Sequence, residues 1–214
     1  SYILRTYEYD GLNRVTKITD PDGGVSEAKY DTDGRIVQMK RKDGAEFSYR
    51  YSAGGMLLES IKPEGSHYLY KYDSRGNIIE RCQEGFFATT YSYYPNGYLK
   101  EVRYPNNTSV GYQYDSTGHL VQEITSSGYN TSYKYDCLGR RTAIEDNEGR
   151  KKLFQYDAAG NIIETINPLG NKTKFDYSPT GMLLAVCYSL GNRTYYNYDE
   201  MDRITTSLSE NLDE

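Results

Sequence analysis

Aromatic and polar positions alternate along the chain in a unit of 21 residues. Counted from a tyrosine as position 0, position −2 is aromatic in nine of ten units, and position −1 is polar in all of them. Aliphatic side chains recur at position +6. A period of two is typical of half-buried β-strands. Each unit therefore predicts two strands, one ending at the tyrosine and one beginning near +6.

The tyrosine that defines the unit recurs without a slip, at Tyr9, Tyr30, Tyr51, Tyr72, Tyr93, Tyr114, Tyr135, Tyr156, Tyr177 and Tyr198. A strict period of this length is the mark of a stacked repeat protein, in which each unit contacts mainly its neighbours. We therefore expect an all-β fold, a repetitive antiparallel array of β-hairpins over residues 1–214 with no second domain. A sheet this wide should curl into a spiral single layer.

A turn with fixed chemistry follows each tyrosine. Position +1 is aspartate in seven repeats: Asp10, Asp31, Asp73, Asp115, Asp136, Asp157 and Asp199. Position +4 is glycine in eight: Gly34, Gly55, Gly76, Gly97, Gly118, Gly139, Gly160 and Gly181. The remaining two have Asn13 and Asp202, which also tolerate positive φ. The pattern predicts a three-residue hairpin loop, a type I turn closed by a glycine bulge. These tyrosines, aspartates and glycines are the candidate structural residues.

The odd period creates a conflict of register. A three-residue loop places position 0 opposite +6, so Tyr72 should face Ile78 and Tyr156 should face Ile162. A second turn, marked by glycine at +14 in seven repeats, would place +7 and +9 on that same face. A regular strand cannot satisfy both turns. We therefore predict a β-bulge near +7 to +9, or a second turn that is one residue longer.

Composition and charge narrow the classes of function. The net charge is −5 with both signs interspersed, so no nucleic-acid partner is expected, and no apolar run is long enough for membrane insertion. The three cysteines form no Cys-x-x-Cys motif. Each turn aspartate brings one carboxylate, whereas a calcium site needs several oxygens. We expect neither a cofactor nor a metal ion.

The two histidines are weak candidates for catalysis. His119 occupies position +5, where Arg14, Arg35, Arg140 and Arg203 stand in other repeats. A surface residue of a strand is the favoured interpretation for it. His67 has no partner motif, and no nucleophile or phosphate-binding motif is present in the sequence. The chain is therefore not expected to be an enzyme.

The unit Tyr-Asp-x-x-Gly-[Asn/Arg]-[Leu/Ile] resembles the YD repeat of the rearrangement-hotspot (RHS) family. Clear copies begin at Tyr30, Tyr72 and Tyr156, and the resemblance covers essentially the whole chain. Such repeats occur in bacterial polymorphic toxins, in shell components of insecticidal toxin complexes and in animal teneurins. The resemblance implies a spiral of hairpins that coils into a hollow shell. In the toxins that shell encloses a C-terminal toxin domain.

The family's Asp-Pro-x-Gly-Leu-type core motif is absent, and the chain begins and ends inside the repeat pattern. We therefore expect a non-catalytic structural segment of a secreted or cell-surface β-shell, more often bacterial, that encapsulates or presents an effector domain. Its expected partners are the rest of the shell, the enclosed domain and, through its end strands, other copies of itself. The alternative is an extracellular carbohydrate- or cell-wall-binding or adhesion repeat module, for which a surface glycan would be the partner.

Overall fold

A computed structural model describes residues 4–210, and within this range the regular structure consists of twenty β-strands without a helix. The chain divides after Ser109 into two compact units. In the first, each strand pairs antiparallel with the next. Its strands are β1 (Thr6–Tyr9), β2 (Val15–Thr19), β3 (Val25–Tyr30), β4 (Ile36–Lys40), β5 (Glu46–Tyr51), β6 (Leu57–Ile61), β7 (His67–Tyr72), β8 (Ile78–Gln83), β9 (Thr89–Tyr93) and β10 (Leu99–Arg103).

The second unit has the same meander of consecutive antiparallel pairs. Its strands are β11 (Ser109–Tyr114), β12 (Leu120–Thr125), β13 (Asn130–Tyr135), β14 (Arg141–Asp146), β15 (Lys151–Tyr156), β16 (Ile162–Ile166), β17 (Lys172–Tyr177), β18 (Leu183–Tyr188), β19 (Arg193–Tyr198) and β20 (Ile204–Glu210). The prediction of an all-β fold of antiparallel hairpins is confirmed.

The first turn of every repeat has the predicted geometry. In repeat 4 the amide of Gly76 donates to the carbonyl of Asp73 at 3.1 Å, and the amide of Asp73 donates to the carbonyl of Asn77 at 2.9 Å. Position +4 has positive φ in all ten repeats, including φ of 60° at Asn13 and 59° at Asp202. Only a residue that accepts this left-handed conformation can close the turn without strain.

The conflict of register is resolved by a β-bulge at position +7. Tyr72 lies opposite Ile78, but Lys71 lies opposite Glu80, so Ile79 has no partner across the pair. The same shift occurs in all ten hairpins. The second turn keeps its three-residue loop, so the alternative of a longer turn is not used. The predicted pair of Tyr156 with Ile162 is also present.

The bulge determines which side chains share a face. Positions 0, −2, +6 and +9 lie on one face, which we call the tyrosine face, and positions −1 and +8 lie on the opposite face. The opposite face of the first unit has cross-strand ion pairs, such as Lys71 with Glu80 at 2.8 Å. Within the described residues, the buried apolar side chains are few: Val102 in the first unit, and Ala143, Ala185 and Val186 in the second. The fold therefore depends on contacts along the sheet.

Repeat 4 departs from this scheme at its second turn. The residue with positive φ there is Gly85, at +13, and the amide of Phe86 donates to the carbonyl of Gln83 at 3.0 Å. Phe86 and Phe87 follow outside any strand. The register of β8 with β9 is kept, with Arg81 opposite Thr89. The irregularity is thus local to the turn.

Candidate functional site at the junction between repeats

The candidate residues do not converge on one pocket. Each of the ten tyrosines is the last residue of an odd-numbered strand, the aspartate at +1 begins the turn, and the residue at +4 ends its loop. They therefore occupy equivalent places along the array, where one repeat meets the next. The question at these places is how the side chains hold neighbouring repeats together.

The aspartate at +1 organises its own turn. In repeat 1 the Oδ1 atom of Asp10 accepts hydrogen bonds from the amides of Leu12 at 2.9 Å and Arg14 at 3.0 Å. Its Oδ2 atom accepts from Nε of Arg14 at 2.7 Å. These donors lower the pKa of Asp10, the amide of Arg14 most strongly, because they stabilise the ionised form. In repeat 6 the same slot holds Asp115, whose pKa falls to about 2, chiefly because the Thr117 hydroxyl donates to it.

The arginine at +5 reaches from its own turn into the following repeat. Nη1 of Arg14 donates to the carbonyl of Asp31 at 3.1 Å, and the Arg14 guanidinium lies 4.7 Å from the centre of the Tyr30 ring. Arg140 repeats the arrangement, with 2.9 Å to the carbonyl of Asp157 and 4.8 Å to the Tyr156 ring. We call this set, an aspartate, its arginine and the next tyrosine, the arginine clasp.

Two variations show what the clasp requires. Arg35 makes it with a longer contact of 3.3 Å to the carbonyl of Ser52. His119 replaces arginine in one repeat, and its ring stacks on Tyr135 with 4.7 Å between ring centres and 23° between planes. In both cases a flat polar side chain hydrogen-bonds to the turn aspartate and lies over the ring of the next tyrosine.

The tyrosine hydroxyl provides a second link between repeats. The Tyr72 hydroxyl donates to the carbonyl of Leu57, at +6 of the preceding repeat, at 2.7 Å. The ladder between β6 and β7 ends at the pair Glu59–Leu69, so this carbonyl lies beyond the last bridge. The hydroxyl therefore satisfies a backbone acceptor that the strand pairing leaves open. Tyr30, Tyr93, Tyr135, Tyr156, Tyr177 and Tyr198 make the equivalent bond.

Sequence reasoning missed the arginine clasp, because it treated position +5 as a surface strand position. A signal was nevertheless present. Wherever +1 is aspartate, +5 is Arg, Asn or His, and in the three repeats without that aspartate +5 is methionine or tyrosine. Paired variation of this kind indicates contact between the two positions. The arginine at +5 also reaches the next repeat. This second contact depends on the twist between successive hairpins, and the sequence of a single repeat does not specify that twist.

The histidines and cysteines do not assemble a reaction centre. His67 lies between the carboxylates of Glu59 and Glu84, with 2.5 Å from Nδ1 to Oε2 of Glu84. Its pKa is raised, most strongly by the hydrogen bond with Glu84. Cys82, Cys137 and Cys187 are free. Among residues 4–210, no group of three or more His, Cys, Asp or Glu residues is arranged to hold a metal ion.

A sequence model of the teneurin YD-shell matches residues 2–83 and 83–213, and so covers nearly the whole chain. The chain belongs to the teneurin YD-shell family. No curated protein matches the chain significantly. Within the described residues, no helix is long and apolar enough to cross a membrane.

The solved structures with a similar fold include TcdB2-TccC3 and a Tc holotoxin pore. The crystal structure of TcdB2-TccC3 without its hypervariable C-terminal region matches with a TM-score of 0.79 and 15% identity, over 96% of this chain and 12% of that one. The TcdB2-TccC3 crystal structure gives the same TM-score over 13% of its chain. A Tc holotoxin pore from Photorhabdus luminescens, carrying a TccC3 mutation, matches with a TM-score of 0.62, 16% identity and 97% coverage of this chain. The YD-shell chain thus spans about an eighth of the length of those chains.

Proposed function

We propose that this YD-shell segment is a structural wall element of a secreted or cell-surface protein whose shell encloses or presents a C-terminal effector domain. The observation that carries the proposal is the repeated junction. Asp10, Arg14 and Tyr30 form the same connection as Asp136, Arg140 and Tyr156, at similar distances. A wall needs the same cohesion at each junction, and in this sheet polar side chains provide that cohesion.

The proposal further holds that the segment has no catalytic activity of its own. The contacts of the titratable groups in the segment support this part of the proposal. The turn aspartates bind their own amides and arginines, and both histidines are engaged with neighbouring carboxylates or rings. The partners of the segment are then other parts of the same shell, together with the domain that the shell surrounds. No small-molecule substrate is part of the proposal.

The test uses the full reading frame that encodes this chain. We expect further YD repeats on at least one side and an unrelated C-terminal domain. In limited proteolysis of the full protein, that domain should resist a protease that digests it rapidly when it is expressed alone. A wall anchor or a murein-cleaving domain beside a short array would contradict the shell function and favour the cell-wall-binding alternative. A C-terminal domain that is digested equally fast in both forms would contradict enclosure.

A further inference from the structure

The irregular second turn of repeat 4 forms one side of a cleft of about 390 Å³ in the first unit. Tyr68, Arg81, Phe86 and Phe87 line it, together with Thr89 and Pro105 from the next hairpin. Small-ligand sites typically measure about 300–1,000 Å³ and combine apolar walls with a few polar groups. The cleft has this size and this composition.

Its phenylalanines are unusually exposed. Phe86 is 68% exposed and Phe87 is 81% exposed. The other three phenylalanines, Phe47, Phe154 and Phe175, are half-buried within strands. Two adjacent exposed rings therefore occur where the turn departs from the repeat pattern. Neither the hairpin nor the junction between repeats uses them.

A positive charge without an acidic partner lies beside these rings. Arg81 occupies +9 on the tyrosine face, where its guanidinium lies 4.9 Å from the centre of the Tyr68 ring. The Lys62 ammonium lies 4.8 Å from the same ring centre. Within residues 4–210, neither cation takes part in an ion pair. The acidic residue of the turn, Glu84, is engaged with His67. The wall of the cleft therefore contains one planar guanidinium, that of Arg81, and the Lys62 ammonium lies on the same tyrosine ring as that guanidinium.

We propose that this cleft binds an acidic saccharide, in addition to the wall function proposed above. The hydrocarbon face of a pyranose ring packs on an aromatic ring, which gives Phe86 and Phe87 a partner. The guanidinium of Arg81 presents paired donors that match the carboxylate of a uronic acid, and Gln83 adds an amide at the edge. A neutral sugar would leave Arg81 without a partner, so the class assigned is a uronate-containing glycan.

The experiment is calorimetric titration of the chain with a hexasaccharide of alternating glucuronate and N-acetylglucosamine. A neutral N-acetylglucosamine hexasaccharide serves as the comparison ligand. We expect saturable binding of the acidic ligand, about tenfold tighter than the neutral one, and at least about tenfold weaker binding in Phe87→Ser and in Arg81→Gln. Leu190→Ser and Arg103→Gln replace an equally exposed apolar residue and an exposed arginine elsewhere, and should bind as the parent chain does.

Several outcomes would overturn the assignment. Equal affinity for both ligands, no saturable binding of either, or binding that survives both cleft substitutions would each do so. Sedimentation of the parent chain as a dimer that Phe87→Ser converts to a monomer would assign the rings to contact between copies instead. Because Phe87 is exposed, Phe87→Ser should fold normally even if Arg81→Gln is destabilised, and thermal unfolding of each variant checks this.

Discussion

Replacing Arg140 with alanine removes three interactions at a single junction between repeats. The Arg140 side chain is 27% exposed, bonds Asp136 at 2.7 Å, donates to the carbonyl of Asp157 at 2.9 Å and covers the ring of Tyr156. Ion pairs at this exposure contribute about 0.5 kcal/mol. A cation–π contact contributes about 1 kcal/mol, and a hydrogen bond from a charged donor about 1.5 kcal/mol more. The free energy of unfolding should fall by about 2–3 kcal/mol.

The chain contains a matched control for this substitution. Arg203 occupies the same slot and bonds Asp199 at 2.7 Å, but its side chain is 69% exposed and, within residues 4–210, its guanidinium covers no aromatic ring. Arg203→Ala should therefore cost only the ion pair, less than about 1 kcal/mol. Arg140→Lys keeps the charge but loses the planar fork, and should fall between the two.

The assay is urea unfolding followed by far-ultraviolet circular dichroism, with hydrogen exchange as a local readout. In a repeat array, stability is a sum of units and interfaces, so the loss of one interface should increase exchange most in the strands on either side of it. If Arg203→Ala costs as much as Arg140→Ala, the destabilisation arises within the turn. The clasp would then contribute nothing between repeats, and the reasoning above would be refuted.

The tyrosine hydroxyl, His67 and the turn glycines give three further predictions. Tyr72→Phe removes the hydroxyl bond to the preceding repeat and should cost about 1 kcal/mol in urea unfolding, whereas no change would show that water satisfies that carbonyl equally well. The raised pKa of His67 should add stability that is fully present below pH 6.5 and is lost as pH rises through the higher folded-state value. The urea midpoint of the parent chain relative to His67→Gln should therefore decline over that range, and a constant difference would contradict the shift. Gly160→Ala should cost about 1 kcal/mol for its φ of 95° alone, since no atom lies near the added carbon. Gly139→Ala should cost more, because its Cβ would lie 2.7 Å from Nε2 of His119, and equal losses would show that the ring moves freely.

Much of the fold could be predicted from the sequence because hairpin geometry is local. The Tyr72–Ile78 pair, the left-handed residue at +4 and the bulge all follow from turn length and the odd period. Contacts between hairpins were harder to predict. The position of the Arg140 guanidinium over Tyr156 depends on the angle between successive hairpins, and no single repeat encodes that angle. The cleft beside Phe87 was visible in the sequence only as a broken pattern, because its shape requires residues from β7, β8 and β9, from the turn between β8 and β9, and from the turn after β10.

The bulge at +7 has a consequence for how such genes change length. Because each repeat contains its own correction of register, a duplicated or deleted block of 21 codons leaves the faces of all remaining strands unchanged. Where the repeat before the new join has arginine at +5, that arginine also meets the next tyrosine at the usual spacing, as Arg14 meets Tyr30. Unequal crossing-over between repeats therefore changes the length of the array but keeps the faces of its strands. Natural variation in array length should occur in whole repeats, whereas insertions of other lengths should be confined to the second turns, since the altered turn at Gly85 changes its conformation while the register of the flanking strands is kept.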